Sequence, residues 1–455
     1  MLNKNFVRFG GGGDTFLHPT TLVILLLAGV LILVVPRKYA LAPFLLGSLL
    51  IPISQTLTLA DVHFMGYRIL LTVAWLRLFL RGPSIRSIHL NVIDRLMIAW
   101  GISAVVTFSL LWFNVSAFVN RMGLFYDSLG VYFLVRVLHR SEEDSNRTVK
   151  ILAAACVVIA CGMLTEHFTQ VNPFSLVGSQ PPDVREGRVR AGGPFAHPII
   201  AGTCAAGFLP LFAGLWWQGK SKVAAAAGAL GATVMAVTST SSTAMLAYAA
   251  GVVGLFMWPL RRSLRPMRWG VVMLLVGLHL AMKAPVWALI GRIDVVGGSS
   301  SYHRFELVNQ TIRHFWDWFL LGQRTTYQWG FNLWDTANTY VETAVTGGFS
   351  TLVLFIAIVV FAFKRLGSAR KIAKNCEMAR LLWALGAALF ATAVGFVGIA
   401  YYDQAAVIWY SLVALISATT SMVLETVRRS SVSAYDRAAE IEPGGIRHPK
   451  AWRTS

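Results

Sequence analysis

Charge is scarce in this chain, and negative charge is scarcer still. Asp and Glu together number 21 in 455 residues, against 40 Lys and Arg, and all charged residues make up 13%. A soluble chain of this length would carry about a quarter charged residues, so a free-standing soluble globule is excluded. Cysteine is also sparse. Cys156, Cys161 and Cys204 sit inside apolar runs and Cys376 in a basic loop. None has metal-ligand spacing with a histidine, and no disulfide framework follows. The strict apolar–polar alternation of a membrane β-barrel is missing. The first 18 residues are polar and glycine-rich and lack the layout of a cleaved signal. The run Gly10 to Gly13 precedes no helix in the manner of a phosphate loop and reads as a flexible tail.

What the chain has is apolar length. Hydrophobic residues make up 56% and mean hydropathy is +0.60. Many stretches approach the roughly 20 apolar residues that span a bilayer as a helix. Helices satisfy their own backbone in lipid, so the fold class is all-α, a polytopic transmembrane bundle of about 12–13 helices. The periodicity places spans near 20–36, 40–57, 66–80, 94–112, 118–137, 149–166, 198–217, 223–239, 243–260, 269–290, 347–363, 381–400 and 405–425. The stretch 40–57 contains Pro43 and Pro52; without it the downstream topology is unchanged.

Net charge is +19. In a soluble protein that would suggest nucleic acid, but here the excess falls in loops and tail. Its expected partners are the lipid bilayer and its anionic headgroups, with no nucleic acid. Basic clusters recur at Arg81, Arg86 and Arg95, at Arg140, Arg147 and Lys150, and at Lys220 and Lys222. Two more lie at Arg261 to Arg268 and at Lys364 to Arg380. They alternate consistently, so these loops face the cytoplasm. The expected organisation is a polar tail over 1–18, a membrane domain over 19–425 and a basic cytoplasmic tail over 426–455. On the other face lie loop 167–197, the short turn TSTSST at 238–243, and one large loop, 291–346, containing amphipathic helices.

Arg185, Arg188 and Arg190 stand on that opposite face, where short basic loops are unusual. A guanidinium fork matches phosphate with two parallel hydrogen bonds and keeps its charge. Headgroup binding is the competing explanation. Gly192, Gly193 and Pro194 allow a tight turn, and His197-Pro198 opens the next helix, whose N–H groups would add a second anion-favouring element. Arg190 is nearest that turn. In the large loop, apolar residues at 305, 308, 312, 315 and 319 predict an amphipathic helix from Tyr302 to Phe319, with Arg304 at its start. Trp316 and Trp318 read as an interfacial belt or as sugar-stacking faces. Near the loop's end, Asp335, Asn338 and Glu342 read as helix caps or as a polar catalytic end. Within the bundle, Asp127 is expected to pair and Lys283 to snorkel.

In order, the chain presents RAGGPFAHP at 190–198, a Ser/Thr turn, and an external loop with an early Arg, Leu320-Leu321-Gly322 and Asn338-Thr339-Tyr340. This ordered set, over roughly 185–400, resembles the O-antigen ligase and O-antigen polymerase superfamily. The resemblance implies an inner-membrane glycosyltransferase with the large loop periplasmic. It implies an undecaprenyl-diphosphate-linked glycan as donor, a glycan or lipid acceptor, and neither cofactor nor metal. It assigns the diphosphate to Arg190 and Arg304, with Arg185 and Arg188 beside them. Members commonly carry a catalytic His before the Asn of the last motif; here that position is Ala337. They often carry Ser-Arg at the turn; here it is Ser241-Ser242.

The implied reaction displaces the diphosphate from an anomeric carbon, with guanidiniums stabilising the charge that builds on it. The absence of an Asp-x-Asp pair in the outer loops fits arginines in place of a metal. Candidates for the base are Asp335, Glu342, His197 and His303, with Asp335 favoured by its place beside Ala337 and Asn338 as its catalytic neighbour. His197, beside a proline at a helix start, also fits a plain capping role. The alternative function is a transporter or flippase of lipid-linked glycans, which would show internal repeats or midplane ionisable residues. A scaffold without chemistry is a third.

Overall fold

The computed structural model describes residues 15–441 except 60–61, 82–88, 186, 220, 294, 296–300 and 374, and side chains except those of 59, 62 and 427–441. Gly10 to Gly13, Arg86, Lys220, Lys374 and the tail beyond 441 lie outside the described residues. The chain is an all-α bundle with two small hairpins. The helices are α1 (Pro19–Val34), α2 (Leu41–Leu50), α3 (Gly66–Arg81), α4 (Val92–Trp112), α5 (Val115–Leu138), α6 (Glu142–Thr169), α7 (Pro198–Trp217), α8 (Lys222–Thr238), α9 (Ser242–Phe256) and α10 (Leu264–Ala281). Then come α11 (Ser301–Arg313), α12 (Phe315–Trp318), α13 (Thr339–Ile372), α14 (Cys376–Gly395) and α15 (Asp403–Ile441). The antiparallel hairpins are β1 (Thr56–Leu59) with β2 (Val62–Met65), and β3 (Asp183–Arg185) with β4 (Arg188–Arg190).

Among the described residues, seven helices are long and apolar enough to cross a membrane: α4, α6, α7, α10, α13, α14 and α15 up to Thr426. The protein is a multi-pass membrane bundle. Each of the thirteen apolar stretches holds a helix, but the second stops short. Ile51 before Pro52 is extended, at φ −88° and ψ 123°, because a proline ring disfavours helix in the residue before it. The chain then turns into the β1–β2 hairpin rather than completing a span over 40–57.

Helix starts follow their caps. Asn91 with Asp94 and Ser141 with Asp144 form reciprocal capping boxes on α4 and α6. The centre is built from α7, which α6, α8, α9 and α14 surround. Small residues allow this. A Cβ on Gly214 of α7 would lie 2.7 Å from Ala384 of α14, and one on Gly231 of α8 would lie 3.1 Å from the Cys156 carbonyl of α6. Cys156 and Cys204 are buried and all four cysteines are free thiols. Asp127 does pair: Arg68 of α3 meets it at 2.6 Å, with the Tyr67 hydroxyl donating at 2.9 Å. Helix α10 buries none of its residues, and Lys283 just beyond its end is exposed.

The large loop is folded, and differently from the expected single helix. That helix breaks at His314, at φ −94° and ψ 30°. The break lets Trp318 turn inward, where its indole N–H donates to the Thr311 carbonyl at 2.8 Å. Trp318 joins Leu307, Trp329, Leu333, Val341 and Val345 in a core separate from that of the bundle. The buried residues of α11 are therefore Ser301, Arg304, Leu307, Asn309 and Thr311, while residue 312 of the expected stripe is exposed. Helix α13 also begins earlier than the predicted span and breaks at Gly348, at φ 71° and ψ −176°. There the loop locks onto it: Phe349 donates to the Phe319 carbonyl at 2.9 Å and Gln323 to the Val345 carbonyl at 2.7 Å.

Candidate functional site

Arg190 closes the β3–β4 hairpin opposite Asp183, and its Nη1 donates to the Asp183 carboxylate at 2.9 Å. Arg190 is 8% exposed, whereas Arg185 and Arg188 face each other at the exposed end of the hairpin. Burial costs a guanidinium its hydration, so Arg190 sits below its ordinary pKa, with Asp183 partly restoring it and Arg185 opposing.

The turn after Arg190 is held from every side. Ala191 donates to the Thr238 carbonyl at the end of α8, at 3.0 Å. Gly192 and Gly193 donate to the two oxygens of Glu166 on α6, at 3.2 and 2.8 Å. Gly193 takes φ +58°, and a Cβ there would lie 3.0 Å from Met163. Its carbonyl accepts from Asn172 at 2.9 Å and Ser179 at 2.7 Å. The Pro194 carbonyl accepts from Gln404 of α15 at 2.9 Å.

The backbone N–H groups of the turn do not stand open to an anion, because Glu166 already occupies them. The expected anion-favouring start of α7 is corrected too: His197 is its N-cap, and Nδ1 accepts from the Ile199 N–H at 3.2 Å. An imidazole whose Nδ1 accepts carries its proton on Nε2 when neutral. Burial, then the nearby Arg190, lowers the His197 pKa, with Asp183 and Asp335 opposing. His197 is thus a neutral donor at pH 7, and not the resting base.

Arg304 comes from α11 and is 8% exposed, with Nε donating to the Gly398 carbonyl at 3.2 Å. Burial, then Arg190 and Arg185, lower it to about 10, and Asp335 opposes. Arg190, His197, Arg304 and Asp335 therefore share one electrostatic neighbourhood, although they come from a hairpin, a helix cap, a loop helix and a loop. Asp335 itself is exposed. The site lies where α6, α8 and α14 end and where α7, α9, α13 and α15 begin.

Beside it, a cavity of about 350 Å³ runs between α9, α11 and α14. Arg304, Ser242 and Thr243 mark its polar end, and Leu246, Phe390 and Val394 give it apolar walls. The Ser/Thr turn thus borders both this cavity and the Arg190 hairpin.

The remaining candidates scatter. Asn338 is 2% exposed and caps α13, accepting from Tyr340 and Val341 at 2.9 and 3.2 Å and donating to the Val397 carbonyl at 3.0 Å. Its amide is committed to holding α13 against the α14–α15 connection. Glu342 turns away from the arginines, accepts from Thr336 and lines a second cavity with Arg121. His303 contacts the Asn332 carbonyl at 3.0 Å. Trp318 is core and offers no face to a sugar; Trp316 is 80% exposed.

Four residues were missed: Glu166, Asp183, Arg121 and Gln404. Glu166 had a signal, since a carboxylate closing an apolar span requires a partner. No protein-family model matches this chain, and comparison with curated proteins gives no match.

Proposed function

We propose that the protein is a membrane glycosyltransferase of the O-antigen ligase and polymerase type, acting on an undecaprenyl-diphosphate-linked glycan at the periplasmic face of the bacterial inner membrane. The observation that carries this reading is the convergence of Arg190 and Arg304, two buried guanidiniums, with the charge of Arg190 lowering the proton affinity of Arg304. Two cations held together out of water have a cost that a diphosphate offsets. The apolar cavity at Arg304 offers the lipid chain a place beside its headgroup. Lys222 and Arg261 follow α7 and α9, and Arg370 stands in the last turn of α13, all at the helix ends opposite the site. By the positive-inside rule these basic ends favour the cytoplasm, which supports a periplasmic position for the arginines at the other end of the bundle.

In the reaction, an acceptor hydroxyl oxygen bonds to the anomeric carbon as the bond from that carbon to the diphosphate breaks. The electron pair leaves on the phosphate oxygen, which Arg190 and Arg304 neutralise. The hydroxyl proton passes to a base, and Asp335 is the acid of the four-residue neighbourhood. With Ala337 in place of the family's His, polymerisation or another exopolysaccharide acceptor is favoured over the ligase reaction.

The test is Arg190→Ala and Arg304→Ala, introduced into a null strain and assayed with purified lipid-linked glycan. Loss of chain growth or attachment is expected; normal glycans would defeat the reading. Transport is the second reading, favoured by the Arg68–Asp127 pair inside the bundle and the helix break at Gly348. In proteoliposomes, translocation of the glycan without a new glycosidic bond would establish it instead.

A further inference from the structure

The second cavity, about 230 Å³, lies between α3, α4, α5, α13 and α15 and has no part in the arginine cluster. It is far roomier than a single buried water requires. One wall is the stripe Thr339, Glu342, Thr343 and Thr346, successive positions on one face of α13 before its break. Two threonine hydroxyls of that stripe, Thr343 and Thr346, donate to carbonyls one turn back, which leaves their lone pairs to the cavity. The opposite wall carries Arg121, whose guanidinium lies 3.8 Å from the Phe108 ring centre, and the ring of Trp100. Arg121 Nε and Trp100 Nε1 are buried donors with no hydrogen-bond partner among the described residues. Buried donors of this kind are costly unless something accepts from them.

The charges decide what that something is. The walls hold Asp127, Glu342 and Asp403 against Arg68 and Arg121, so acids outnumber bases. A second phosphate is disfavoured there, in contrast to the site at Arg190 and Arg304. Carboxylates, a guanidinium, hydroxyls and flat aromatic faces together suit a neutral, hydroxyl-rich ring. Its hydroxyls accept from the orphaned donors and donate to the acids, while its C–H face packs on indole.

We infer that this cavity is a second ligand site that binds one neutral sugar ring. Naming that ring as the acceptor rests on the proposed transferase reaction. The connection between α14 and α15 forms the partition between the two sites. Its Val397, Gly398 and Ile399 carbonyls accept from Asn338, Arg304 and Thr339, while Tyr402 lines the second cavity and senses Asp335 electrostatically. Tyr402 is thus the wall residue of this cavity that lies within the field of Asp335, the acid assigned to take the proton.

Saturation-transfer NMR on the full chain in nanodiscs tests binding without activity. The probes are glucose, galactose, mannose, rhamnose, N-acetylglucosamine and, as the charged control, glucuronate. At least one neutral sugar should show ring-proton saturation, falling at least three-fold in Glu342→Gln and in Thr346→Val but not in Arg190→Ala. Thr346→Val keeps shape and volume, so it reports even if Glu342→Gln fails to fold. No saturation from any neutral sugar, saturation unchanged in the folded variants, or a preference for glucuronate each overturns the inference. If Arg304→Ala abolishes chain growth while no sugar binds, the transferase stands and this site falls. If sugar binds while Arg304→Ala is fully active, the site stands and the transferase falls.

Discussion

Gly193 donates its backbone N–H to Oε2 of Glu166 at 2.8 Å, joining the C-terminal end of α6 to the turn that follows Arg190. With Gly192 on the other oxygen, one carboxylate fixes two successive peptide groups. Removing it leaves two buried N–H groups without acceptors, at about 1–3 kcal/mol each. Glu166→Ala is therefore expected to lower the melting temperature in detergent and to reduce chain growth at least ten-fold. Glu166→Gln keeps one acceptor oxygen and should fall between. Equal activity in all three proteins would show that the clamp does not position Arg190.

His197 makes stability depend on pH in a stated direction. Its folded pKa is lowered by burial and by Arg190, so the unfolded chain binds the proton more readily. The stability contributed by the neutral ring is fully present above the unfolded value of about 6.5 and is lost as pH falls through the lower folded value. Protonation also ends acceptance at Nδ1 from Ile199. Melting curves from pH 7.5 to 5 should show a decline that His197→Asn, a competent cap, largely removes. The same slope in both proteins would assign it to other groups.

Arg304 distinguishes charge from geometry. Its surroundings lower it to about 10, which still leaves it charged at neutral pH. The same surroundings would lower a lysine below its ordinary value of about 10.4, toward the neutral range. Arg304→Lys should thus lose activity at pH 7 for want of a fork, by about ten-fold or more. It should then decline further between pH 7 and 9, where the native protein does not. A flat profile in the variant over that range would contradict the burial of this site.

The legible part of the fold is what local periodicity and caps control. Thirteen apolar stretches became helices because each can satisfy its backbone alone. Asn91, Ser141 and Asn338 are where capping chemistry puts helix starts. What stayed hidden depended on distant partners. The break at His314 exists because Trp318 packs with Trp329 and Leu333, and no pattern within 302–319 records that. Glu342 shares a helix with Asn338, yet its cavity is set by Arg121 from α5. The pairing of Arg190 with Arg304 was readable from the order of motifs, not from either stretch alone. Glu166 left one signal, a carboxylate closing an apolar span, but a single acid does not disturb the hydropathy that defines the span and its partners lie in a distant turn.

The junction of Gly322 and Gly348 provides a test of the fold that is independent of function. Gly348 takes φ 71° with ψ near 180°, a region open almost only to glycine, and a Cβ there would lie 2.6 Å from the Leu320 carbonyl oxygen. Gly322 takes φ 96°, and its Cβ would overlap the Val345 carbonyl. The strained backbone alone costs about 1–3 kcal/mol, and the clash with a carbonyl adds to it because backbone does not yield. Gly348→Ala and Gly322→Ala should each reduce stability by about 3 kcal/mol or more and release the loop, seen as faster proteolysis within 315–346. Gly367 supplies the control, for it lies in the same helix with open space around its Cβ direction. Gly367→Ala should be neutral or stabilising by a few tenths of a kcal/mol to about 1 kcal/mol. If all three variants melt alike, the loop is not anchored at the α13 break, and the placement of Arg304 over the arginine site loses its support.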